Sequence, residues 1–129
     1  MSLVRAKNTK PEMAVRRLVH RLGFRYRLHV RKLPGCPDLV FTSRKKVIFV
    51  HGCFWHQHKC RMGDRMPKSN TELWRKKLEG NKARDTRNHR KLRHLGYQVL
   101  TIWECQITQA RLGPLAKRIA RFLSDDRRN

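Results

Sequence analysis

Acidic side chains are scarce in this 129-residue chain: nine Asp and Glu stand against 32 Lys and Arg, a formal net charge of +23. Self-repulsion makes so charged a compact state costly, so the imbalance points to a polyanion partner, where each neutralised phosphate releases a counterion. Charge alone fits equally a ribosomal or chromatin-type protein that only coats nucleic acid. Long apolar runs are missing too. The longest, around Val47–Val50, suits a buried strand and falls far short of the about 20 residues that a membrane helix needs. The N-terminus lacks the basic-then-apolar layout of a secretory signal, so no membrane association is expected and the cytoplasm is the expected address. Cysteines number only four, and in a basic chain of this kind reduced thiols or zinc ligands are expected before disulfides. Repeats, low-complexity tracts and linkers are absent. The length suits one sizeable core, and residues 1–129 are expected to form a single domain.

The order of elements is legible from capping and periodicity. Thr9-x-x-Glu12 has the form of a capping box with Pro11 in the first turn, followed by Val15, Leu18, Val19 and Leu22 at helical spacing and by Gly23 as a stop. Phe24, Tyr26, Leu28 and Val30 alternate with basic residues, which predicts a half-buried strand. A Pro/Gly turn, Leu33–Pro37, leads into a short strand at Asp38–Phe41, a turn at Ser43–Lys45 and an apolar strand at Val47–His51. Asn70 or Thr71 would cap a long basic helix running towards Gly96, with a bend near Gly80. Tyr97–Trp103 reads as a strand with Trp103 in the core. Leu115, Ala116, Ile119, Phe122 and Leu123 mark a final helix, and Asp125–Asn129 a frayed tail. Helix, three strands, helix, strand, helix packs naturally as one mixed α/β sheet flanked by helices.

The chemistry concentrates in Val50-His51-Gly52-Cys53-Phe54-Trp55-His56-Gln57-His58-Lys59-Cys60. Cys53, His58 and Cys60 can wrap one tetrahedral zinc, with a fourth ligand from elsewhere. Cys105 is the first candidate and Cys36 its rival, and by spacing alone His56 or His51 could replace His58. Buried apolar thiols are the bland alternative. Asp38, after its Pro turn, either accepts hydrogen bonds from that turn or supplies the carboxylate that a DNA-cutting site needs to hold a hard cation. In a hairpin it would face the Val50–His51 end of the next strand. Glu12 either completes its capping box or reaches the same cation through water. His51 and His56 flank the proposed metal site, and a neutral imidazole suits proton abstraction from water. If protein groups fill all four zinc positions, zinc is structural and hydrolysis needs a second metal. Phe54, Trp55 and Trp74 are candidates for wedging between base steps.

These residues resemble the very short patch repair (Vsr) endonucleases. The resemblance rests on His51-Gly52-Cys53-Phe54-Trp55-His56 with His58-x-Cys60, on Pro37-Asp38 before it and on Trp103-Glu104-Cys105 after it. Lys7-Asn8-Thr9-Lys10-Pro11-Glu12 and Asn81-Lys82-Ala83-Arg84-Asp85 are similar too, so the likeness runs from about Arg5 into the final helix. It implies a restriction-endonuclease-like αβββαβ core with a structural zinc. The implied reaction is a magnesium-dependent nick 5′ of the thymine in a T:G mismatch, where 5-methylcytosine has deaminated. By the same resemblance Asp38 would bind magnesium directly, helped by the main-chain carbonyl of Val50, with Glu12 and His51 acting through water. His56 would be the general base, with Asp85 assisting. Cys53, His58, Cys60 and Cys105 would hold zinc, and Phe54, Trp55 and Trp74 would intercalate beside the mismatch. A bacterial, cytoplasmic, nucleoid-associated monomer is implied, acting on double-stranded DNA near mismatch-repair proteins.

Two other readings stand beside this one. A nuclease of a mobile element or restriction system would cut an unmismatched site, and a basic zinc module would bind DNA without cutting. The Glu-x-Lys pattern of ordinary restriction enzymes is absent, which fits Vsr chemistry.

Overall fold

A computed structural model describes residues 9–53 and 69–125. The described chain runs α1 (Lys10–Arg21), β1 (Arg27–Leu28), β2 (Leu39–Phe41), β3 (Lys46–His51), α2 (Thr71–His94), β4 (Gln98–Trp103) and α3 (Leu112–Ser124), with short 3-10 turns at Thr42–Arg44, Glu104–Gln106 and Gln109–Arg111. The four strands form one sheet in the order β1-β2-β3-β4. β1–β2 and β2–β3 pair antiparallel, while β3 and β4 pair parallel. A parallel pair needs a crossover connection, and α2 lies within it. The mixed sheet with flanking helices predicted from element order is what forms.

Both faces of the sheet are covered, so its inner strands are apolar on both sides. On one face α1 and α3 pack Val15, Leu18, Val19, Leu115, Ile119 and Leu123 against Leu39, Phe41, Ile48 and Ile102. On the other, Leu92 of α2 packs with Val40, Val47 and Phe49. Odd and even positions of β2 and β3 divide between the two clusters, as a period of two requires.

The helix ends follow from local chemistry. Thr9 is the N-cap of α1 and its Oγ1 accepts the Glu12 N–H at 3.3 Å. At the C-terminus the Gly23 N–H reaches the His20 carbonyl and the Phe24 N–H reaches that of Val19. Gly23 has φ +86° with no atom within 4 Å of where a Cβ would stand, so left-handed backbone, not crowding, demands glycine there. Gly96 (φ +92°) ends α2 in the same way, through Tyr97 N–H to Leu92 O. The C-terminus of α3 is capped from β3 and its approach: Arg44 donates to Leu123 O, and the buried Lys46 ammonium donates to the carbonyls of Phe122 and Asp125. Cations at a helix C-terminus satisfy its orphan carbonyls and complement its dipole.

Four sequence expectations need correction. The strand expected over Phe24–Val30 shrinks to Arg27–Leu28, both exposed, because His29 turns into left-handed backbone at φ +48°. Phe24 and Tyr26 still pack on the core, from outside the ladder. Asn70 takes the N-cap position of α2 but in left-handed backbone and without the expected side-chain capping bond, and the helix continues through Gly80. Trp103 is only half-buried, at the end of β4 beside His51. Asp125 is tied to Lys46, so the described start of the tail is anchored. Among the described residues no helix is long and apolar enough to cross a membrane.

Candidate metal site

Glu12, Val15 and Val19 lie at i, i+3 and i+7 and so share one face of α1. Docking that face on the sheet buries Glu12 to 2% exposure. A carboxylate in such a place needs donors, and two converge on one oxygen: Arg16 Nη2 and His29 Nε2 each stand 2.7 Å from Glu12 Oε2. Arg16 comes from the next turn of the same helix, His29 from the chain just past β1.

Asp38 stands immediately before β2. Its carbonyl accepts the His29 N–H at 3.2 Å, extending the β1–β2 ladder by one bond. Its Oδ2 accepts the Val50 N–H at 2.7 Å. The expected facing of Asp38 and the Val50–His51 end of the neighbouring strand is therefore present. Atoms of Glu12, His29 and Asp38 that could ligate a metal all lie within 4.8 Å of one another. Two hard oxygen donors at this spacing suit a divalent cation such as magnesium.

His51, at the end of β3, is 5% exposed and walled by rings. Phe49 and Trp103 stand 5.4 and 5.2 Å away between centroids, and His89 of α2 stacks on it at 6.0 Å and 21°. Asp85 is half-buried one helical turn before His89, on the same side of α2. Trp74 is half-buried in the first turns of α2, with Lys77 Nζ 5.7 Å from its ring centroid.

At the same end of the sheet, the parallel register His51↔Trp103 carries two residues further to Cys53 beside Cys105. The Cys105 N–H donates to Cys53 Sγ at 3.4 Å, and Cys53 is fully buried. Of the two rivals for a fourth zinc ligand, Cys105 is thus the one placed against Cys53. Cys36 sits in the β1–β2 connection with its N–H on Leu33 O. Phe54, Trp55, His56, His58 and Cys60 lie outside the described residues.

Three participants escaped the sequence reading: His29, Arg16 and His89. His29 occupied a polar slot in an alternating run, like Arg25 and Arg27. Its contact with Glu12 spans seventeen positions, a distance at which local pattern carries no signal.

The family model for DNA mismatch endonuclease Vsr matches residues 1–62. A protein named type II nicking enzyme V.XorIIP, from Xanthomonas oryzae pv. oryzae, is 50% identical over 123 residues, covering 95% of this chain and 88% of its own length. The chain belongs to the Vsr family. The type II nicking enzyme V.NmeAIP of Neisseria meningitidis is 40% identical, covering 92% of this chain and 88% of its own length. The DNA mismatch endonuclease Vsr of Escherichia coli is 37% identical over 83% of this chain and 68% of its own. The Vsr resemblance inferred from the His51–His56 motif is therefore established for the chain as a whole, within a family of DNA endonucleases.

Proposed function

We propose that this Vsr-family chain is a magnesium-dependent endonuclease that nicks one strand of DNA on the 5′ side of the thymine in a T:G mismatch. The observation that carries the reading is the convergence of Asp38, held by the Val50 N–H, with the buried Glu12 beside the start of the His51–His56 motif.

Magnesium would neutralise charge on the scissile phosphate and orient it. Asp38 and the Val50 main-chain carbonyl would hold the ion, with Glu12 and His51 beside it through water. His56 would take the proton from the attacking water, and Asp85 would help to orient the base. The ring wall around His51 limits its rotamers, which is how a site keeps one geometry through a reaction. Cys53, His58, Cys60 and Cys105 would hold a structural zinc, and the Cys53–Cys105 adjacency supports the two ligands that lie among the described residues. Phe54, Trp55 and Trp74 would wedge into the duplex at the mismatch. The exposed Lys and Arg side chains of α2 would carry phosphates.

A second reading keeps the chemistry and changes the substrate. Relatives at 50% and 40% identity are named type II nicking enzymes, a name that specifies nicking and no mismatch; in this reading the chain is a nickase of a restriction system and reads an unmismatched site. End-labelled duplexes with and without a single T:G pair separate the two in the presence of magnesium. A nick 5′ of the mispaired thymine alone supports the mismatch reading. Equal nicking of both duplexes supports the second, and binding without nicking would leave a non-catalytic zinc module.

A further inference from the structure

We propose that His29 is a positioning residue of the metal site: its Nε2–H fixes the buried Glu12 carboxylate in the orientation that faces Asp38. The inference rests on the metal-site reading above and adds a residue to it.

Three observations converge on His29. Its imidazole contacts Glu12 Oε2 at 2.7 Å in a pair whose side chains are 16% and 2% exposed, so the contact is not a solvated surface pair. Its backbone N–H bonds the Asp38 carbonyl at 3.2 Å. One residue thereby ties both carboxylate-bearing segments together, through its peptide on one side and its ring on the other. Its backbone is left-handed at φ +48°. That conformation is uncommon for a non-glycine residue and is held here by the contacts on either side of it. An extended residue 29 would continue the strand and carry its ring along the sheet. The left-handed turn is what accompanies the ring's approach to Glu12.

Arg16 already supplies a charged donor to Glu12, at 2.7 Å. It pulls from four residues along the same helix, however, and cannot by itself direct the carboxylate across to the β1–β2 segment. His29 pulls from that segment. Two donors on one oxygen from different directions fix the carboxylate plane, which sets where the second oxygen points. A ring nitrogen engaged with the Glu12 carboxylate at 2.7 Å is not itself open to a cation, so this contact acts on the cation through Glu12. Loss of an outer partner of this kind commonly weakens metal binding about 10- to 100-fold.

The test is a titration of the full-length chain with Mn2+, followed by the loss of the free-ion electron paramagnetic resonance signal, without DNA. Four proteins are compared: wild type, His29→Gly, His29→Gln and Asp38→Asn. Glycine adopts the left-handed backbone without strain, so His29→Gly removes the ring while keeping the turn, and thermal unfolding should stay within a few degrees of wild type. Its Mn2+ dissociation constant should rise about tenfold or more. Glutamine can place an N–H near the Nε2 position and should recover most of that loss. Wild-type affinity in His29→Gly overturns the proposal, as does a His29→Gln variant as weak as His29→Gly. If His29→Gly binds normally while Asp38→Asn does not, only the role of His29 falls. If Asp38→Asn also binds normally, the metal-site reading falls and takes the proposal with it.

Discussion

The backbone N–H of Val50 donates to Asp38 Oδ2 at 2.7 Å, across twelve positions of chain. The bond joins the residue before β2 to the end of β3, so the sheet takes part in aiming the carboxylate. An asparagine oxygen can accept the same N–H, so Asp38→Asn keeps the tie and removes only the charge. Nicking under saturating magnesium should fall by about 100-fold or more, a loss of about 2.7 kcal/mol of transition-state stabilisation, while the melting temperature stays close to wild type. Single-turnover kinetics with a melting curve decide it, and a fully active variant would remove Asp38 from the metal site.

Zinc content is expected to distinguish the cysteines. Cys105→Ser should lose bound zinc and thermal stability together, because a structural metal contributes folding free energy. Cys36→Ser, in its β1–β2 turn, should keep both. Metal analysis by mass spectrometry on the purified variants gives the answer, and zinc lost from Cys36→Ser but kept in Cys105→Ser would reverse the assignment.

The basic side chains of α2 should act on affinity without choosing a sequence. Thr86, Arg90, Arg93 and His94 lie at i, i+4, i+7 and i+8 on one face of this helix, and the charge there suits a phosphate. Arg90→Ala and Arg93→Ala should each reduce the slope of log affinity against log salt by about one, equally on matched and T:G duplexes. Fluorescence anisotropy at several salt concentrations measures that slope. A mismatch-selective loss would instead place this helix face next to the recognised base.

Lys46 offers a control for stability without function. It is 4% exposed and its ammonium satisfies the carbonyls of Phe122 and Asp125 at the end of α3. Lys46→Met should destabilise the fold by about 1 kcal/mol or more, the cost of leaving partly buried acceptors without this donor, and should leave zinc content and Mn2+ affinity unchanged. Urea unfolding gives the first figure. A change in metal binding would mean that α3 reaches further into the site than the packing implies.

What could be read from the sequence was whatever local rules govern. Thr9 and Gly23 bound α1 as capping chemistry requires, the apolar run of β3 held to within a residue, and the apolar markers of the last helix all fall inside α3. The Asp38–Val50 facing followed from treating β2 and β3 as a hairpin. The losses came where tertiary contacts override local pattern. Alternation from Phe24 to Val30 predicted a strand, yet His29 leaves the ladder for Glu12 on another element. Glu12 itself was legible as a capping residue, and only docking of α1 shows it buried between Arg16 and His29. His89 read as one more surface histidine until α2 laid it over His51.

The parallel register of β3 and β4 carries a consequence for timing. Cys53 and Cys105 meet only because His51 pairs with Trp103, and the chain between them must close on itself before those strands lie side by side. Such long-range closures come late in folding, after local helices and hairpins. A cation requiring both sulfurs would therefore find its full set of ligands near the end of the process, acting as a latch on a finished sheet and not as a seed for it.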